Sequence, residues 1–410
     1  MTFSTDIIVV GAGPAGLMAA ATAAAAGKRV LVLERLSKPG TKLLATGGGR
    51  CNITNVLSPQ EMMARFGRQG RFMEPALRGL DNAGLLECLA RLGVPAHCAD
   101  GFHWFPVAES AAAVQLALWQ HGEGLGVKFH FNCRVTGLSI RDGAIAGVAT
   151  EQGELAAPKV ILAAGGKSWP ALGSDGSEFA LATAAGHTVK TLFPALVPLI
   201  VREPWVPDCA GTVFPETEAW IDLPKRRGGR TRGPVLFTHR GISGPVILDL
   251  SGDVAALLAE MPEVPLRLRW HPDSAEIWRG RIAGWRRQHG AKLLRNLLDQ
   301  HLPANFAQAL AKACGAPEAK MANLTADQEA ALVESLTELP LHATATEGFA
   351  RSMATRGGVS LKEIRPETLE SRLVAGLFFA GEIVDLDGPC GGFNLQWAFS
   401  SGRLAGLTWN

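Results

Sequence analysis

The chain opens on alternating blocks of apolar and turn-forming residues. Residues 6–10 make a short apolar run behind Asp6, and Gly11-Ala12-Gly13-Pro14-Ala15-Gly16 follows at once. Small apolar residues continue to Ala26, and residues 29–33 form a second apolar run that Glu34 closes. Short apolar runs bounded by glycine fit strands covered on both faces, and the alanine-rich stretch between them fits a closely packed helix. The predicted order is strand, glycine turn, helix, strand, acid. From residue 59 to 125 the spacing becomes helical: residues 81–92 carry Leu85, Leu86, Leu89 and Leu92, and residues 110–122 carry Val114, Leu116, Leu118 and Trp119. Residues 127–131, 134–140 and 144–149 read as strands, with Asp142-Gly143 as a turn, and residues 159–166 form another apolar run ending in glycines.

The composition shifts near Pro194. Short strand-like pieces at 197–201, 219–223, 235–238 and 266–270 are broken by Pro and Gly, and a helical stretch follows in which Asp273 and Glu276 suggest a capping box. Ile277, Trp278, Ile282 and Trp285 make its apolar stripe, with Arg279, Arg281, Arg286 and Arg287 on the other face. Residues 191–354 therefore read as an inserted β-plus-helical domain, its β part at about 191–271 and its helical part at about 272–340. The first domain, residues 1–190, resumes at 355–410 with a buried strand over 376–382, a glycine-bearing loop and a helix over 393–406.

The opening pattern has a chemical purpose. Gly11 permits a tight turn, Gly13 lets the backbone approach a pyrophosphate, and Gly16 lets helix and strand pack closely. The helix start offers free N–H groups and a positive dipole end to phosphates, and Glu34 can accept hydrogen bonds from a ribose diol. The glycine-rich segment from Lys42 to Asn55 contains Gly47, Gly48 and Gly49 followed by Arg50, Cys51 and Asn52, a flexible backbone with a fork donor and an amide beside it. Late in the chain, the helix starting near Phe393 presents a second N-terminus, through Gly391, Gly392, Phe393 and Asn394, to the same ligand. In a flavin site its natural partner is the N1–O2 edge of the ring.

Composition narrows the alternatives. With 410 residues, 47% hydrophobic and 19% charged, the chain has the make-up of a soluble protein of two or three domains. A net charge of +2 predicts neither nucleic acid nor membrane as a partner. Residues 7–27 carry no charge, yet Asp6 and the internal glycines and Pro14 fit a buried strand and turn, not a membrane span or an export signal. Seven scattered cysteines without a C-x-x-C pair predict reduced thiols, a cytoplasmic location and no metal site.

Four further motifs extend the opening fingerprint: residues 42–52 (KLLATGGGRCN), 236–245 (LFTHRGISGP), 357–363 (GGVSLKE) and 381–396 (GEIVDLDGPCGGFNLQ). With them the chain resembles the bacterial flavoprotein family called YhiN-like or BaiN-like, some of whose members are described as aminoacetone oxidases. The resemblance spans nearly the whole chain. It implies an α/β fold: a discontinuous, FAD-binding Rossmann-like domain of the two-dinucleotide-binding-domain flavoprotein type, with an inserted domain and non-covalent FAD. Two positions depart from the pattern, Cys390 where Thr is expected and Phe393 where Tyr is expected. The chain contains no tyrosine at all, so a Tyr-dependent mechanism is excluded.

The residues expected at the cofactor are Gly11, Gly13, Pro14, Ala15, Gly16, Glu34, Arg35, Lys42, Gly48, Gly49, Arg50, Cys51, Asn52, Val135, Ala163, Gly165, Gly166, Gly381, Glu382, Asp385, Gly391, Gly392, Phe393, Asn394 and Leu395. Two candidates carry chemistry. Arg50 could orient a carboxylate or stabilise reduced flavin, or serve phosphate alone; His239 could donate a proton near flavin N5, or be a structural histidine. Lys225 to Arg232 form a basic, hairpin-like loop, read as solvated surface with substrate capture or RNA contact as alternatives. No second G-x-G-x-x-G follows a strand, so a dedicated NAD(P)H domain is not expected and NAD(P)H would bind transiently. The expected activity is hydride transfer between flavin and a small organic substrate, as an NAD(P)H-fed reductase of activated C=C or C=O bonds. An amine or amino-acid oxidase using oxygen is one alternative, and an RNA-modifying or RNA-binding flavoprotein is the other.

Overall fold

A computed structural model describes residues 5–224 and 229–407. The chain forms two compact units, Met1–Phe193 with Met353–Asn410, and Pro194–Ser352, each with its own apolar core. Residues 225–228 of the basic loop lie outside the described residues.

In the first unit, the strands Ile7–Val10 and Val30–Leu33 pair in parallel, with the helix Pro14–Ala25 between them in sequence. Lys128–His130 extends the sheet beyond Val30–Leu33, and Val160–Leu162 and then Leu377–Phe379 extend it on the other side, giving five parallel strands. The four inner and C-terminal strands are buried at every position, which is why they appear in sequence as unbroken apolar runs and not as alternating ones. Leu377–Phe379 comes from the far end of the chain, so the sheet itself joins the two segments of this unit. The closing helix, Phe393–Leu407, crosses the first helix at very short range. A Cβ on Gly402 would sit 2.2 Å from Ala15 O, and one on Gly406 would sit 2.7 Å from Ala19 O, so two glycines four residues apart match two alanines four residues apart. A separate antiparallel meander, Val135–Arg141, Ala144–Thr150 and Gly153–Ala156, turns at Asp142 and Gly143, both at positive φ as a two-residue hairpin requires. The helix expected over 81–92 is Asn82–Arg91, with the Asp81 side chain accepting the Gly84 N–H at its start.

In the second unit, six antiparallel strands close into a barrel in the order Leu199–Val201, Gly241–Ser243, Thr231–Phe237, Val213–Ile221, Val264–Arg269 and Leu339–Thr346. Three details differ from the sequence reading. Residues 339–346, read in part as helix, are the strand that closes the barrel by pairing with both Val264–Arg269 and Leu199–Val201. The helix Ala275–His289 is capped by Ser274, whose side chain accepts the Ile277 N–H, while Asp273 pairs with Arg281. Trp278, Ile282 and Trp285 are buried as expected, but Ile277 is exposed.

Candidate functional site

The C-terminal ends of the parallel strands surround an open cleft of about 1180 Å³ in the first unit. Gly11, Gly13, Pro14 and Ala15 form part of its wall, and the three glycines of the fingerprint differ sharply in what surrounds them. Gly11 has φ +96°, and a Cβ there would lie 2.5 Å from Ala164 Cα; a Cβ on Gly16 would lie 2.0 Å from Gly11 O. A Cβ on Gly13 meets nothing nearer than Ala163 O at 3.9 Å. Gly11 and Gly16 are thus glycine because protein packs against them, whereas Gly13 borders empty space that a ligand can occupy. Gly16 itself does not line the cleft.

Glu34, at the end of the second strand, lines the cleft with a fixed carboxylate: Oε2 accepts the Ala12 N–H at 2.8 Å and Oε1 the Leu36 N–H at 2.9 Å. Each oxygen keeps acceptor capacity for a ribose hydroxyl. Beside it Arg35 pairs with Asp175, which Arg134 also approaches at 3.6 Å. Burial works against the Asp175 charge, but hydrogen bonds from Arg35 and Ser177 outweigh it and hold the carboxyl down at about 2. Val135, Ala163 and Gly165 complete this part of the wall.

A second cluster joins the two ends of the chain. Lys42 Nζ donates to Glu382 Oε2 at 2.5 Å and to Ser168 Oγ; Ser168 donates in turn to Glu382 Oε1. Thr355 Oγ1 donates to the same oxygen at 2.8 Å and accepts the Lys167 N–H at 2.7 Å. Gly166 is where this cluster packs, since a Cβ there would lie 2.5 Å from Thr355 Oγ1 and 2.7 Å from Glu382 Oε1. Lys42 and Glu382 reach the cleft, together with Gly381. Leu43, Met353, Leu386 and Leu395 add apolar wall, and Asn394 adds an amide whose own groups are bonded to Gly388 N and O at 2.9 Å.

Several expected contacts lie away from the cleft. Gly48 and Gly49 are exposed, and Arg50 lies over the Phe105 ring at 4.6 Å with Glu109 at 3.6 Å, on the surface. Cys51 is fully buried, with its thiol pushed up to about 12 by burial. Asn52, with its amide turned to satisfy both groups, donates to Thr54 O and accepts the Gly392 N–H at 3.2 Å, so that N–H is spent inside the protein. Asn55 Nδ2 donates to Gly391 O at 2.9 Å, and Phe393 packs edge-on against Phe66 in the core. Asp385 accepts from Gln69 at 3.0 Å, and burial raises its pKa. His239 is an exposed turn residue of the second unit. Conversely, Thr46, Ser174, Glu178 and Trp397 line the cleft without having been singled out in sequence. None of them sits in a repeating pattern; only Glu178, two residues past a Gly173-Ser174-Asp175-Gly176 segment, carries a local hint.

Among the described residues, two buried polar atoms at the Glu34 side of the cleft have no hydrogen-bond partner: Glu178 Oε2 and Arg35 Nε. Unsatisfied buried polar atoms are rare in folded proteins, and both of these belong to residues that line the cleft. Together with the open space at Gly13 and the poised Glu34 carboxylate, they fit a bound dinucleotide, and FAD meets that donor and acceptor set.

Fold and site define a Rossmann flavoprotein, an FAD-dependent oxidoreductase. The chain belongs to the family described as HI0933-like protein Rossmann domain, whose model matches residues 5–408. Among its relatives, the ribosomal RNA dihydrouridine synthase of Escherichia coli K12 is 30% identical over 97% of this chain and 96% of its own length. The 3-dehydro-bile acid delta(4,6)-reductase of Clostridium scindens is 31% identical over 97% of both. Among solved structures, 3-ketosteroid-delta4-(5alpha)-dehydrogenase of Rhodococcus jostii RHA1 matches the fold with a TM-score of 0.54 at 19% identity, covering 100% of this chain and 97% of its own. No helix among the described residues is long and apolar enough to cross a membrane, and no group of His, Cys, Asp or Glu among them could hold a metal.

Proposed function

We propose that the protein is an NAD(P)H-fed, FAD-dependent reductase of a carbon–carbon double bond conjugated to a carbonyl, acting on a small organic substrate. One observation carries the reading. The chain is equally similar, over nearly all its length, to two relatives named for different substrates, and both names describe adding two hydrogens across such a bond. What the chain shares with both is the chemistry, not either substrate. When bound, FAD would accept hydride from the reduced nicotinamide and deliver it to the β-carbon, a proton completing the α-carbon.

The chain's own residues hold and shield. Gly13 and the first helix turn bind the pyrophosphate, and Glu34 fixes the ribose. The Lys42–Ser168–Glu382–Thr355 cluster sets a neutral, rigid polar wall. Leu43, Met353, Leu386 and Leu395 keep water from the part of the cleft where the redox ring would lie. No second G-x-G-x-x-G follows a strand in the sequence, so the donor would bind transiently at the flavin.

A second reading, reduction of a uracil within RNA, draws on the name of the Escherichia coli relative. The arginines of the barrel give it little support. Arg230, Arg232, Arg267 and Arg269 are each matched by Glu218, Asp222, Glu334 or Glu338, and Arg279 and Arg287 are exposed cations of the neighbouring helix without such a pair among the described residues. Anaerobic bleaching of the flavin by NADH or NADPH, followed by reoxidation with conjugated enones or with ribosomal RNA fragments, tests both. Reoxidation by enones alone supports the first reading, and reoxidation by RNA with steep salt dependence supports the second. Bleaching by amines, with no response to conjugated alkenes, would overturn the reductase reading in favour of an oxidase.

A further inference from the structure

Glu178 is a buried acid that the fold does not explain. It opens the short helix Glu178–Ala184, only 8% of its surface is exposed, it lines the cleft, and its Oε2 has no partner among the described residues. The charged groups around it are Arg35, which is paired with Asp175, then Asp175 itself and Glu34, with Arg134 beyond Asp175. Arg35, the cation acting on it, pairs with Asp175 through Nη1, and the other two charged neighbours are acids. Buried polar groups without a partner are few in folded proteins, this one belongs to a residue that lines the cleft, and the place of Glu34 makes this the adenosine side of the site.

We propose that Glu178 reads the adenine of the cofactor, its carboxyl group accepting a hydrogen bond from the 6-amino group and donating one to a neighbouring ring nitrogen. In that pairing the acid is neutral. Burial already pushes Glu178 up to about 7, and covering it with a purine removes its remaining water, so cofactor binding takes up a proton. The linkage has a definite sign: the protonated form binds, and affinity falls as pH rises above 7. The inference rests on FAD as the cofactor.

The test uses full-length protein stripped of its flavin and titrated calorimetrically with FAD and with an analogue whose purine lacks the 6-amino group. Wild type should take up a proton on binding, measurable as a dependence of the heat on buffer ionisation. It should favour FAD over the analogue by about tenfold, the scale of one good hydrogen bond to a buried group. Its Kd for FAD should rise toward tenfold per pH unit above 7. Glu178→Gln, which keeps an acceptor and a donor but cannot titrate, should retain the preference and lose the pH dependence. Glu178→Leu should bind both dinucleotides equally. Equal binding of both by wild type, no proton uptake, or a preference that survives in Glu178→Leu would each overturn the role of Glu178. Failure of wild type to bind either dinucleotide would instead overturn the FAD site itself.

Discussion

Two alanine substitutions, three residues apart, should separate folding from cofactor binding. In Gly16→Ala the new methyl would lie 2.0 Å from Gly11 O, 3.1 Å from Gly11 C and 3.3 Å from Val9 Cγ1. Ordinary contact begins near 3.4 Å, so the first helix must retreat from the turn by about 1.4 Å. The closing helix, in contact with Ala15 and Ala19 through Gly402 and Gly406, resists that movement. Overpacking of this kind costs about 1–3 kcal/mol. At roughly 2–4 °C per kcal/mol for a unit of this size, the flavin-free protein should melt about 2–12 °C lower. Gly13→Ala is different: Gly13 has φ −74°, and its added methyl meets nothing nearer than 3.9 Å. The loss there is at most about 1 kcal/mol, for a poorer residue at the helix cap. Its methyl, however, occupies the path of the pyrophosphate, and FAD affinity should fall at least about tenfold, or 1.4 kcal/mol. Differential scanning fluorimetry of the stripped proteins, paired with fluorescence titration by FAD, reads both quantities. If Gly13→Ala bound FAD as wild type does, or if Gly16→Ala melted unchanged, the roles given to these two glycines would be wrong.

Lys42→Met leaves Glu382 with only Ser168 and Thr355 as partners, and stranding a partly buried carboxylate should cost about 1–3 kcal/mol by urea denaturation; Lys42→Met paired with Glu382→Gln should recover part of it, and no recovery would argue against the pair. Glu178 has a folded pKa raised from 4.5 to about 7, so the flavin-free protein should lose stability as pH rises between those values, by up to about 3 kcal/mol above 7. Glu178→Gln should flatten that slope in denaturation curves taken from pH 5 to 8. Burial pushes Cys51 and Cys209 up to about 12, so native protein treated with iodoacetamide at pH 8 should be alkylated elsewhere first, and rapid labelling of Cys51 in a mass-mapped digest would contradict its place in the core.

Local rules carried the sequence reading a long way. The strand, glycine turn, helix, strand and acid at the start are legible because each depends on neighbours within a few residues: φ at Gly11, the apolar runs, the acid at the strand end. The same holds for the hairpin at Asp142-Gly143 and the buried strand after Gly376. What local spacing does not encode is which distant segments meet. The pairing of Leu377–Phe379 with Val160–Leu162 draws Glu382 against Lys42, Ser168 and Thr355, and no spacing in the chain announces that cluster. Leu339–Thr346 begins where the helical part is expected to end, at about 340, and it is a strand because two distant strands claim its backbone groups and close the barrel. Asn52 and Gly392 read as two separate ligand contacts, yet with the Asn52 amide turned the fold bonds them to each other, and the glycine loop around Arg50 is exposed. Glu178 is the clearest case. In sequence it is one acid among 38 acidic residues; only packing removes its water, leaves one oxygen without a partner and places the residue in the cleft wall, because desolvation is a property of everything folded around a group and not of the residues beside it.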